Sequence, residues 1–110
     1  MTVGLAWLCL SCAILFEIAG TTCMKLSDGF KNIVPSIAMF GFYAVAFGFN
    51  TFAVRKLDLS VTYAVWSGVG TACTALIGFL YFKEPMSTLR VTGVFLIIAG
   101  VCALRLSVPD

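Results

Sequence analysis

The 110-residue chain has no histidine, three prolines, and only seven basic and five acidic side chains. The lack of histidine removes the commonest metal ligand and the commonest general base. No nucleophile–base pair and no glycine-rich phosphate loop takes its place, so an enzyme is not expected, and no metal or cofactor is implied. Charged residues make up 11% of the chain, against about 25% in a typical soluble domain. They cannot give every helix or strand of a soluble fold a polar face. The net charge is +2 and the longest basic cluster is Arg55-Lys56. A chain of that kind has nothing with which to track phosphates, so nucleic acid is not a partner.

What the chain has in abundance is apolar surface: 61% of residues are hydrophobic and the mean hydropathy is +1.06. Five cysteines, Cys9, Cys12, Cys23, Cys73 and Cys102, all fall inside apolar stretches. They read as small packing residues and not as a disulfide framework. The C-x-x-C formed by Cys9 and Cys12 lacks the strand-loop-helix setting that a redox motif needs.

The charges collect between four apolar blocks, residues 3–24, 33–54, 59–82 and 89–106. Each approaches the ~20 residues a helix needs to cross a ~30 Å hydrocarbon core. The expectation is an all-α integral membrane protein, a single four-helix transmembrane domain over residues 1–110, multi-pass in the cell (inner or plasma) membrane. The first block has no basic residues before it and an acid within it, so it reads as a permanent helix and not as a secretory signal. Turn residues mark short connections at Ser27-Asp28-Gly29, Arg55 to Asp58 and Glu84-Pro85. Such connections imply an up-down-up-down order with both termini on one side.

On that topology the terminus side carries Arg55, Lys56 and Arg105, and the other side Lys25, Lys31, Lys83 and Arg90. Three against four gives the positive-inside rule almost nothing to act on. Either one residue tips the balance, or copies insert both ways and two of them pair upside down.

Glu17 is the sole ionisable residue well inside a span, with Ala13, Ile14, Gly20 and Thr21 as helical neighbours. A carboxylate at membrane depth costs about 2.5–3.5 kcal/mol on insertion scales and is kept where it has a partner or a function. No lysine or arginine lies well inside another span to pair with it, Arg90 and Arg105 standing at the ends of the fourth. A low dielectric favours the neutral form, so such a group can exchange a proton for another cation. The bland alternative is a polar contact between helices.

Aromatic side chains supply the other half of a cation site. Tyr63, Trp66, Ser67 and Gly70 share one face of the third helix, and Tyr43, Ala46, Phe47 and Asn50 share one face of the second. Faces of tryptophan and tyrosine attract organic cations. Taken singly, Trp66 or Tyr43 is better explained by ordinary packing or interfacial anchoring, and the case for them rests on company with Glu17. The run Ser67-Gly68-Val69-Gly70 marks either a close helix crossing or a bend. Gly93 and Gly100, one heptad apart, suit helix pairing within the chain or between chains. Four helices cannot easily enclose an organic ion, so a second copy is expected. An inverted copy would supply the two-fold symmetry that larger transporters obtain from inverted repeats.

The stretch Glu17-Ile18-Ala19-Gly20-Thr21-Thr22-Cys23-Met24-Lys25, followed by Ser27-Asp28-Gly29-Phe30, and the later Thr62-Tyr63-Ala64-Val65-Trp66-Ser67-Gly68-Val69-Gly70 closely resemble the small multidrug resistance transporters. The resemblance covers essentially the whole chain. It implies a proton-coupled exporter of organic cations such as quaternary ammonium compounds, driven by the proton gradient and acting as an antiparallel, dual-topology homodimer in the lipid bilayer. By the same resemblance Glu17 is the carboxylate shared by proton and substrate. Tyr63 and Trp66 are aromatic walls, and Tyr43 and Phe47 contribute from the second helix. Gly68 and Gly70 are the bend of the third helix, and Gly93 and Gly100 the dimer contact. Ala13, Gly20, Thr21, Asn50 and Ser67 complete the expected surroundings of the site. Guanidinium exporters of this family usually carry tryptophan at the position of Gly20 and a hydroxyl at that of Ala46, so the resemblance lies with the quaternary-ammonium branch. Asn50 and Asp58-Leu59-Ser60 depart from the usual pattern. Choline- or betaine-like osmolytes, polyamines and guanidinium stand as alternative cargoes. A non-transporting accessory subunit and a passive cation channel stand as alternative functions.

Overall fold

A computed structural model of the chain describes residues 1–108. Its regular structure is helical: α1 (Val3–Leu26), α2 (Ile33–Ala53), α3 (Leu59–Leu80) and α4 (Thr88–Leu106). All four are long and apolar enough to cross a membrane. Within the bilayer a helix is the economical choice, because it satisfies its own backbone N–H and C=O groups.

The helix ends follow local chemistry. Thr2 caps α1, its hydroxyl accepting from the Leu5 N–H at 3.1 Å. That helix extends past the expected residue 24, because the Ser27 N–H closes on the Cys23 carbonyl at 2.8 Å and its hydroxyl donates to the Met24 carbonyl at 2.7 Å. Three successive residues, Asp28, Gly29 and Phe30, then take positive φ and reverse the chain. Asn32 finishes the turn by donating its side-chain amide to the Leu26 carbonyl at 2.9 Å. α3 stops at Leu80, short of the expected residue 82, where Lys83 adopts φ 60° and the Glu84 N–H turns back to the Gly78 carbonyl at 2.9 Å. Ser87 caps α4 by accepting from the Arg90 N–H at 3.1 Å.

The chain forms two compact units, Met1–Asp58 and the segment from Leu59 onward. In the first, α1 and α2 pack as an antiparallel pair. Phe16 lies between Phe42, with ring centroids 6.1 Å apart, and Phe49, at 5.9 Å. Such ring pairs contribute roughly 0.5–1.5 kcal/mol each beyond their buried area. Midway along α2 the helices come close where Gly20 admits the Tyr43 ring; a Cβ on Gly20 would stand 2.7 Å from that ring.

In the second unit α3 packs on α4. Here the glycine run resolves into a close crossing at Gly68, where an added Cβ would lie 2.6 Å from a methyl of Val101. α3 itself is helical without a break through Gly68 and Gly70. Gly93 and Gly100 behave differently: a Cβ on either would meet nothing within 4 Å, and α4 has no buried residue.

Gly68→Val should therefore lower the resistance of the protein to thermal unfolding in detergent, at a cost of about 1–3 kcal/mol from overpacking. Adding Val101→Ala should restore most of the loss. An unaffected Gly68→Val protein would contradict the close crossing.

Candidate functional site

Hydroxyl groups in a membrane helix ordinarily satisfy themselves on the preceding turn. Five here do so: Ser11 donates to the Trp7 carbonyl, Thr22 to Ile18, Ser36 to Asn32, Thr51 to Phe47 and Thr74 to Gly70, all between 2.6 and 2.9 Å. Thr21 makes no such bond and turns outward to two side chains. Its hydroxyl donates to Oε1 of Glu17 at 2.8 Å and lies 2.8 Å from the hydroxyl of Tyr43.

The direction of this short chain follows from proton counting. A carboxylate only accepts, and a threonine hydroxyl has one proton to give. With Glu17 ionised, that proton points at the carboxylate, so Tyr43 must donate to Thr21. Charge-assisted bonds of this kind are the stronger sort. The two helices are thereby joined through the acid: α1 contributes Glu17 and Thr21, α2 contributes Tyr43. Gly20 allows the link to form, because its missing side chain lets the tyrosine ring reach Thr21.

Glu17 is half-buried. Ion pairs among the described residues stand elsewhere, as in Lys31 with Asp28 at 4.0 Å and Arg90 with Glu84 at 3.7 Å. Neither α1 around Glu17 nor α2 anywhere carries a lysine or arginine to neutralise it. A carboxylate in this setting is available to a mobile cation or to a proton. Among the described residues no cluster of three or more His, Cys, Asp or Glu is placed to hold a metal ion, and the five cysteines are free thiols.

The first unit brings together Ala13, Glu17, Gly20, Thr21, Tyr43 and Asn50 on or beside the faces where α1 meets α2. Ala13, Gly20 and Ala46 are buried. Phe47, expected beside Tyr43, is 57% exposed. In the second unit Trp66 is half-buried, Ser67 exposed, Tyr63 68% exposed, and Gly68 and Gly70 buried. Two features escaped the sequence reading. Phe16, adjacent to Glu17, is clamped by Phe42 and Phe49, and the seven-residue spacing of those two rings on α2 was the available signal. Thr62, one turn before Trp66, is 1% exposed and its hydroxyl has no partner among the described residues.

Comparison with known proteins settles the family. Residues 5–97 match the family described as Small Multidrug Resistance protein. The chain belongs to the small multidrug resistance family. Multidrug resistance protein EbrB of Bacillus subtilis is 46% identical over 104 residues, covering 94% of this chain and 87% of the relative. Multidrug resistance protein mmr of Mycobacterium leprae is 41% identical over 104 residues, covering 94% and 97% respectively. An uncharacterized membrane protein of Bacillus subtilis, YvaE, is 47% identical over 100 residues, 91% of this chain and 84% of its own length. Membership in the small multidrug resistance family and four spanning helices together make this a multi-pass protein of the plasma membrane.

The Thr21 link generates a specific expectation. Thr21→Val and Tyr43→Phe should each destabilise the folded protein by about 1 kcal/mol, the usual net worth of a hydrogen bond. Their double variant should lose markedly less than the sum, because both remove the same bond. Strict additivity in detergent unfolding would show that the hydroxyls are not joined.

Proposed function

We propose that the protein is a proton-coupled antiporter exporting organic cations, quaternary ammonium compounds among them, with proton and substrate competing for Glu17. The observation that carries this reading is the carboxylate of Glu17, set in an apolar helix, held by Thr21 and Tyr43 and matched by no cation of its own pair of helices. An organic cation neutralises it from outside; a proton does the same and displaces the cation. Neutral and anionic compounds gain nothing from such a site. Relatives named as multidrug resistance proteins support an export role.

The working unit in this proposal is an antiparallel homodimer. Its support is the state of α4, which buries no residue in the single chain and keeps Gly93 and Gly100 open. Small residues let two helices approach closely in a membrane. The weak charge bias, three basic residues against four, leaves both orientations accessible. Tyr63 and Trp66, exposed and half-buried in one chain, then supply aromatic walls to the ligand. In that cycle α3, helical without a break through Gly68 and Gly70 in the single chain, flexes there as access alternates.

Reconstituted in vesicles, Glu17→Gln should reduce proton-driven uptake of a quaternary ammonium compound to the protein-free background, since it keeps shape and removes charge. Normal uptake by that variant would end the proposal. Trp66→Ala should weaken binding of aromatic cations by about tenfold or more, the ring contribution being about 2 kcal/mol when desolvated. Unchanged affinity would reduce Trp66 to packing.

A further inference from the structure

Asn50 is the only carboxamide within a membrane-spanning helix of this chain, and its side-chain oxygen is buried without a hydrogen-bond partner among the described residues. A buried polar oxygen left unpaired is costly, and none of the described residues of the single chain gives this one a donor.

Its depth follows from the antiparallel register. Tyr43 of α2 stands against Gly20 of α1. Asn50 lies seven residues beyond Tyr43, and Ala13 seven residues before Gly20, so Asn50 is level with Ala13. Ala13 is fully buried and carries only a methyl group, so at this level α1 offers the amide no polar partner. Although Asn50 is close to the end of α2, α1 continues for about two further turns past the level of Ala53, at ~1.5 Å per residue. Glu17 lies one turn from Ala13, about 6 Å along the axis. Glu17 and Asn50 thus stand about one helical turn apart along the α1–α2 pair. A cation held between them has its charge balanced by the carboxylate through Coulomb attraction, which needs no N–H, while a single N–H is free to be given to the amide oxygen.

We infer that Asn50 is a specificity-determining acceptor for cations that carry an N–H, so that the protein takes protonated amines in preference to their fully N-methylated analogues. The inference rests on Glu17 as the cation's counter-charge. Both kinds of cation satisfy the carboxylate. Only one with an N–H also satisfies the Asn50 carbonyl, whereas a methyl group in the same place covers the oxygen and leaves it unbonded.

The test is calorimetric binding of benzyldimethylammonium and benzyltrimethylammonium to the purified full-length protein at neutral pH. The ratio of the two affinities is the readout, because it does not depend on the fraction of protein that is folded. The wild type should favour the N–H compound about tenfold, the effect of one hydrogen bond to a charged donor. In Asn50→Leu the ratio should fall to about one, and in Asn50→Ser, which keeps a hydroxyl acceptor, it should lie between. A wild-type ratio near one, or a tenfold ratio retained in Asn50→Leu, overturns the assignment; if neither variant binds, the wild-type ratio alone decides. The carboxylate reading is checked separately. Both cations should fail to bind Glu17→Gln, and wild-type affinity of that variant for both would remove the counter-charge and this inference with it.

Discussion

A carboxyl group placed in hydrocarbon must be neutralised by something, and the organisation of the α1–α2 pair reflects that requirement. Glu17 occupies an apolar helix whose partner helix contains no basic side chain. The protein gives it one donor, the Thr21 hydroxyl, backed by Tyr43. One donor satisfies part of the carboxylate's capacity to accept hydrogen bonds and supplies no opposite charge. The close approach of Tyr43 at Gly20 and the clamping of Phe16 by Phe42 and Phe49 fix the two helices in the register that this link needs.

The second unit presents a contrast in how glycine is used. Gly68 is consumed in packing against Val101, whereas Gly93 and Gly100 meet nothing of their own chain within 4 Å. In the absence of a hydrophobic driving force between lipid-immersed helices, such open small-residue positions are where a neighbouring helix can come close enough for dispersion contacts to accumulate. The fourth helix buries no residue in the single chain, and in the proposed dimer it is the surface that a second copy would cover.

Much of this architecture is legible in the amino-acid order. The four spans follow from hydropathy, and Glu17 stands out because any acid in hydrocarbon is conspicuous. The helix ends are less legible. Ser27 prolongs α1 through hydrogen bonds to Cys23 and Met24, and the positive φ of Lys83 halts α3 early; neither effect is visible in an apolar count. Thr21 and Thr22 illustrate the limit at the site. Side by side in sequence, one satisfies its hydroxyl on its own helix and the other reaches across to Tyr43. Their difference is set by which side of α1 faces α2, a property of tertiary packing. The same holds for Ser67-Gly68-Val69-Gly70, whose residues alone are compatible with a crossing or a bend; the contact of Gly68 with Val101 establishes the crossing.

The central claim is that one acid holds a proton and an organic cation by turns. Its most direct test is to add tetraphenylphosphonium to purified protein in weakly buffered detergent and follow the pH of the solution. The account predicts that binding releases protons, and that the release disappears when Glu17 is replaced by Gln. Binding of the cation at undiminished affinity with no proton released at any starting pH would contradict it.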